Sequence, residues 1–312
     1  MRELQAVVDN NVTILGCVNV DLMTRFISYL DASPKTVETY TRAVRQLINY
    51  FSLNGITRPQ REDVIAFRED LKASGLKPTT IQNYITAAKI FFRWAEQEGL
   101  YPNVADKLKG AKLDRDHKKD YLTSNQVKSV LDSVERDTEQ GVRDFAMLSL
   151  MVTGGLRTIE VSRANIGDMR TLGNATVLYL QGKGRTEKTE YIKISAPVER
   201  AIRAYIKARG AVSEDMPLFS SLSNNSKGER LSTRTVSGIV KTRLQGAGYD
   251  NSRLTAHSLR HTAVTLSLLA GRDIAEVQQF ARHANITTTM IYNHALDKAK
   301  NGCSEAISNA IF

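Results

Sequence analysis

Cysteine is nearly missing from this chain. Cys17 and Cys303 are the only two in 312 residues, and they stand almost a chain length apart. That excludes a disulfide framework and a cysteine-based metal site. Long apolar runs are missing too. Ala146 to Val152 is among the longest and is broken by Ser149, far from the ~18 apolar residues of a membrane span. The opening Met1-Arg2-Glu3-Leu4 lacks the basic patch, apolar stretch and small-residue cleavage site of a secretory leader. A cytoplasmic protein with no membrane partner is therefore expected. With 42% hydrophobic and 24% charged residues, the composition also excludes a collagenous repeat and a disordered chain. The length suits about two domains.

Acid is short relative to base. Lys and Arg number 43 against 33 Asp and Glu, a formal charge of +10. Residues 1–120 hold 18 basic and 15 acidic residues, and residues 121–312 hold 25 and 18. A basic surplus in both halves fits a polyanionic partner that both halves grip.

From Val20 to about Glu98 the pattern is helical. Ser33-Pro34 reads as an N-cap followed by proline at the first helical position. Val37, Tyr40, Val44, Leu47, Ile48 and Phe51 then recur on one face. The recipe returns 44 residues later, with Pro78, Ile81, Tyr84, Ala87, Phe91 and Trp94. Two copies read as two amphipathic helices that start alike, not as a solenoid. Asn54-Gly55 ends the first, and Arg61 to Ser74 supplies another helix between them. Residues 107–120 are dense in charge and poor in apolar periodicity, which is linker chemistry.

A second domain opens at the capping box Thr123-Ser-Asn-Gln126. An apolar helix over Val142 to Val152 runs into Thr153-Gly-Gly. Ala175 to Gln181 and Thr189 to Ile194 read as a hairpin with a cationic tip, Gly182-Lys-Gly-Arg185. Helices follow near 198–208, 232–245, 256–269, 273–282 and 287–300.

Four segments could carry chemistry. His257 and Arg260 share a helix face, in the first turn if Thr255 is the N-cap, where free N–H groups favour an anion. Alone, such a pair is more often a packed histidine and a solvated arginine. His257 and His261 invite a zinc reading, but Ser258 stands where a metalloprotease helix needs its glutamate and no cysteine is near. Arg157 and Glu160, after Thr153-Gly-Gly-Leu, read either as a surface ion pair or as a phosphate-binding arginine steadied by a carboxylate. Lys183 lies between two glycines, without the spacing of an ATP-binding loop. It is a solvated lysine or a mobile ammonium that delivers a proton. Last, Thr287 or Thr288 can cap a helix that sets Tyr292 behind the His283 turn.

Order and combination decide. Arg-x-x-Glu after Thr-Gly-Gly-Leu, a Gly-Lys-Gly hairpin, His-x-x-Arg-His, a later His and Thr-Thr-Thr-Met-Ile-Tyr resemble the tyrosine recombinases, the phage integrase family. The resemblance covers roughly residues 19–300. It implies a mainly α fold with a small β-sheet, built as an N-terminal helical core-binding bundle plus an α+β catalytic domain. The boundaries expected are an extension over 1–18, the bundle over 19–106, the linker over 107–120, the catalytic domain over 121–300 and a docking tail over 301–312. The implied catalytic residues are Arg157, Lys183, His257, Arg260, His283 and Tyr292, with Glu160 accessory and no cofactor or metal.

The resemblance further implies a site-specific recombinase that cuts and rejoins DNA through a 3′-phosphotyrosyl link. Its partners would be double-stranded DNA with short inverted-repeat core sites, a homotetramer on paired sites, and accessory DNA-bending factors in a nucleoid-associated setting. A type IB topoisomerase and a catalytically silent DNA-binding protein are the alternatives. Only about 18 residues precede the bundle, as in compact Xer-like and mobile-element members. One departure stands out. Ala281-Arg282 replaces the Leu-Gly that many relatives place before the later histidine, and Arg282 either adds a phosphate contact or faces solvent.

Overall fold

The computed structural model describes residues 20–112, 120–182, 184–210, 212–299 and 302–312. The chain divides into two compact units, Met1–Arg115 and Asp116–Phe312.

The first unit is a bundle of α1 (Val20–Tyr29), α2 (Pro34–Leu53), α3 (Arg61–Ala73) and α4 (Pro78–Gln97). The Ser33 side chain accepts from the Thr36 N–H, and Pro34 occupies the first turn of α2. Gly55 takes a positive φ of 64° just past its end, a conformation open to glycine without steric penalty. The repeat has a structural reason. α2 buries Thr41, Ala43, Val44, Leu47, Ile48 and Phe51, and α4 buries the equivalent Ile85, Ala87, Ala88, Phe91, Phe92 and Ala95. These faces belong to one core, in which Phe26 meets Phe91 edge-on with ring centroids 5.4 Å apart. Each fully buried Phe or Leu stabilises the unit by roughly 1.5–3 kcal/mol.

This core runs past residue 106. Leu108 is buried in it, Arg68 Nη1 donates to the Lys109 carbonyl at 2.6 Å, and Arg61 donates to the Asp106 carbonyl. Residues 113–119 of the expected linker, and the expected extension 1–18, lie outside the described residues.

The second unit holds α5 (Ser124–Asp132), α6 (Glu139–Gly154), α7 (Thr158–Arg163), β1 (Met169–Leu172), β2 (Ala175–Leu180), β3 (Glu190–Lys193), α8 (Ala196–Arg209), α9 (Thr233–Gly246), α10 (Ala256–Leu269), α11 (Ile274–Ala281), α12 (Thr287–Ala299) and α13 (Cys303–Ile311). Its core surrounds α6, buried from Ala146 to Val152 and packed on α8 and α10. A helix apolar on all sides is a buried one. That is why α6 shows no one-sided period.

The sheet is antiparallel in the order β1-β2-β3, with Met169 opposite Leu178 and Tyr179 opposite Tyr191. A two-stranded hairpin is what the sequence predicts; β1 is the addition. Three of its four residues are exposed, so it carries no apolar alternation. The Gly173-Asn174 turn before β2 is the signal that could have revealed it. At the C-terminal end, α13 starts at Cys303 with Gly302 in the cap position. Ile307 and Ile311 on α13 and Phe312 just after it are exposed. No helix among the described residues is long and apolar enough to cross a membrane.

Candidate active site

The site is assembled from two turns. The first follows α6. Gly155 adopts φ 57°, and a side chain there would press on the Phe280 ring at 3.2 Å; one on Gly154 would collide with Leu156 and Ile192. The two glycines therefore let the chain double back closely and deliver Arg157 to the start of α7. Glu160, one turn later, has a side chain with no solvent exposure. Its Oε1 accepts from Arg157 Nη1 at 2.8 Å, and its Oε2 accepts from the Arg157 N–H at 2.8 Å. The surface ion-pair reading is excluded.

The second turn joins α11 to α12. Its consecutive carbonyls at Ala281 and Arg282 accept from Arg260 Nη2 and, at 3.2 Å, from Arg157 Nη2. Arg260 comes from α10, whose N-cap is Thr255. It is 1% exposed, and its Nη1 also donates to the Gly155 carbonyl at 2.6 Å. Two arginines far apart in sequence thus hang from the same two turns.

His283 follows at once. Its Nδ1 lies 2.8 Å from the Thr289 hydroxyl, and its ring is stacked on Tyr292 at 6.3 Å between centroids. The Asn285 side chain accepts from the Thr287 N–H at 2.8 Å and starts α12; this corrects the expectation that Thr287 or Thr288 is the cap. Tyr292 on α12 is 6% exposed. His261 is also beside it, with ring centroids 5.0 Å apart, and in turn lies 4.6 Å from the exposed His257. In the sequence, His261 closes the His-x-x-Arg-His motif and is rejected as a zinc ligand, but no role is assigned to it. Its spacing from His257, one helical turn, was the available clue.

Arg282 is the second correction. Its side chain is 5% exposed, so it does not face solvent. Its Nη2 meets Glu160 Oε2 at 2.9 Å and the Gly155 carbonyl at 3.0 Å, and its Nη1 meets the Phe280 carbonyl at 2.8 Å. Lys183, the remaining expected member, lies outside the described residues, although Gly182 and Gly184 flank it. Arg157, Glu160, Arg260, His283 and Tyr292 are brought together; His257 adjoins them through His261.

Burial and mutual repulsion shape the charges. Arg260 is lowered to about 9, first by burial and then by Arg157 and Arg282, and remains a cation at neutral pH. His283 is lowered to about 4 by burial and then by Arg260 and Arg157, so it is a neutral imidazole. Tyr292 is raised to about 12 because burial outweighs the pull of Arg260 and Arg157. Burial works to raise Glu160, but Arg282 and Arg157 outweigh it and hold the carboxyl below its usual range. Three guanidinium groups against one carboxylate leave net positive charge beside a neutral phenol. Such a set can hold an anion and bring a nucleophile to it. No group of three or more His, Cys, Asp or Glu side chains among the described residues could hold a metal ion.

Residues 120–299 match the phage integrase family, and residues 23–99 match its N-terminal SAM-like domain. A tyrosine recombinase of Synechocystis is 29% identical over 84% of this chain and 86% of its own length. Tyrosine recombinase XerA of Pyrococcus horikoshii is 29% identical over 91% and 95%. Among solved structures, XerH site-specific recombinase bound to a palindromic difH substrate superposes with a TM-score of 0.72 at 22% identity, covering 93% of this chain and 85% of that one. The catalytic-family match alone spans more than half of the chain, and with it the chain belongs to the phage integrase family, the tyrosine recombinases.

Proposed function

We propose that the protein is a site-specific DNA recombinase working through a 3′-phosphotyrosyl intermediate, with Tyr292 as nucleophile. The observation that carries this is the convergence of Arg157 and Arg260 on the Gly155 and Ala281-Arg282 turns, with buried Tyr292 directly behind His283. Arg157 and Arg260 bind the non-bridging oxygens of the scissile phosphate and stabilise the charge that builds on them. Tyr292 Oη attacks phosphorus as the bond to the 5′-oxygen breaks. The phenolic proton leaves toward His257, and Lys183 protonates the departing 5′-oxygen. One phosphodiester replaces another, so no ATP is consumed. A 5′-hydroxyl from the partner strand then attacks the phosphotyrosine and restores Tyr292.

Tyr292 at about 12 is a poor nucleophile in the free protein. Phosphate binding, which seats His257 and excludes water, is the step that makes it reactive. His283, neutral and tied at Nδ1 to Thr289, keeps Nε2 for a phosphate oxygen.

The DNA partner is duplex with inverted-repeat core sites, in keeping with relatives solved on palindromic DNA and on core-site and transposon-end DNA. Two duplexes cut twice each call for a homotetramer. The exposed apolar face of α13 is its coupling element, docked on a neighbouring protomer, because about two turns of helix are marginal alone in water. The task is integration or excision of a mobile element or resolution of replicon dimers; recombinant products, rather than supercoil relaxation alone, separate all of these from a topoisomerase.

Tyr292→Phe tests the reading. On a duplex selected by the wild-type protein from a random-sequence pool, the variant should bind normally and form no covalent adduct on a denaturing gel. A normal adduct yield would remove Tyr292 from its role.

A further inference from the structure

Arg282 has a left-handed backbone, φ 54° and ψ 45°, shared by one other non-glycine residue among the described residues, Lys107. Side-chain-bearing residues seldom adopt it, and glycine adopts it freely. Yet this position carries an arginine whose side chain is almost wholly buried. The residue is held from several directions. Its guanidinium reaches the Gly155 carbonyl and Glu160 Oε2 at the turn from α6 into α7 and the Phe280 carbonyl in α11. Its own carbonyl receives Arg157. Arg157, Glu160 and Arg282 therefore form a closed ring of contacts, and Arg260 shares the Gly155 carbonyl with it.

We propose that Arg282 is a positioning residue: its buried guanidinium ties the α11–α12 corner to the Gly154–Glu160 turn and so sets His283 and Tyr292 against Arg157 and Arg260. This deepens the recombinase reading above and rests on it. A phosphate contact by the same side chain is the competing role, and the salt dependence of binding separates the two.

The charge arithmetic gives the ring a purpose. Glu160 is fully buried, and the charged groups facing it are Arg157 at the start of its own helix, Arg282 from the corner and Arg260 from α10. Without Arg282, the buried carboxylate keeps Arg157 as its one hydrogen-bonded counter-ion. The corner is also released from the glycine turn, and His283 and Tyr292 move with it.

The test uses the full chain, with the duplex that the wild-type protein selects from a random-sequence pool. Arg282→Gly relieves the backbone and removes the guanidinium; Arg282→Lys keeps the charge without the fork. Arg282→Gly should bind with unchanged affinity and salt dependence yet form the covalent adduct about 10²-fold more slowly, the cost of misplacing reacting groups by about 1 Å. The acid limb of its rate–pH profile should move to higher pH, because Glu160 has lost a neighbouring cation. Arg282→Lys should fall between in rate and keep the wild-type limb, which preserves the test if the glycine variant melts early. Without DNA, histidine NMR should find the His283 ring titrating near 4 in the wild type and higher in Arg282→Gly.

Wild-type rate and pH profile in Arg282→Gly, or an unmoved His283 titration, would overturn the proposal. So would a log–log salt slope shallower by about one, which assigns Arg282 to a phosphate. If the wild-type protein itself forms no adduct, the recombinase reading fails, while an unmoved His283 titration would still overturn the role of Arg282.

Discussion

Among the largest fully buried side chains of the first unit are Trp94, Phe26, Phe67, Phe91 and Phe92; those of the second unit include an arginine, Arg260, as well as Tyr205 and Phe219. The first unit spends its interior on apolar contact between helices that repeat one face. The second keeps an apolar core around α6 and places a polar cluster at its edge, where Arg157, Glu160, Arg260 and Arg282 neutralise one another incompletely. On the proposed function, stability and chemistry are thereby separated. Damage to the helical unit should cost folding, and damage to the polar cluster should cost catalysis.

Among variants that keep the Tyr292 phenol, the largest effect expected on the catalytic side is that of Lys183→Ala. Adduct formation should slow by about 10²–10⁴-fold, the usual worth of a positioned acid, with no change in melting temperature. A substrate with sulfur at the bridging 5′-position needs little protonation and should be cleaved much faster by the variant. Absence of that rescue would give Lys183 another role. On the other side, Phe91→Ala should destabilise the first unit by about 3–5 kcal/mol, seen as an earlier melting step for that unit in calorimetry. Its adduct rate under native conditions should stay close to wild type; a rate loss as large as that of Lys183→Ala would break the separation.

Truncation before Cys303 should have an intermediate effect. Single half-site binding should remain, while pairing on a full site weakens by about tenfold, roughly 1.4 kcal/mol. Gel-shift cooperativity measures this, and unchanged cooperativity would mean that α13 does not dock on a neighbour.

How much of this was legible follows the same division. The faces of α2 and α4 could be read because apolar burial is periodic, and the shared burial of Leu47 and Phe91 comes from one local rule. Ser33, Thr123 and Thr255 announced their helices because caps are local as well. Arg157, Glu160, Arg260, His283 and Tyr292 were legible through the order of motifs. Their partners were not. Arg157 meets the Arg282 carbonyl across 125 residues, and Arg260 meets the Gly155 carbonyl across 105. No spacing rule reaches that far. Arg282 was the hardest case, since an arginine in a turn reads as surface until its acceptors are known. β1 failed for the opposite reason, being too short and too exposed to leave a pattern.

The smallest expected effect is on stability against pH. His283 sits at about 4 when folded and near ~6.5 when unfolded, so folding disfavours its charged form. That contribution is complete above about pH 6.5 and is lost as pH falls toward the folded value. Glu160, also depressed, adds a loss at still more acid pH. Tyr292 works in the other direction, losing stability as pH rises from about 10 toward 12. Urea midpoints for the wild type and His283→Gln should differ in slope over the acid range; identical slopes would show that the His283 corner is not buried in solution.

The central claim is that one buried phenol, Tyr292, becomes covalently joined to DNA. The adduct formed on the selected duplex can be digested with protease and nuclease, and the nucleotide-bearing peptide sequenced by mass spectrometry. A phosphodiester on Tyr292, with a 5′-hydroxyl on the released strand, is the expected result. A nucleotide on any other residue, or a 5′-phosphate on the released strand, would contradict it.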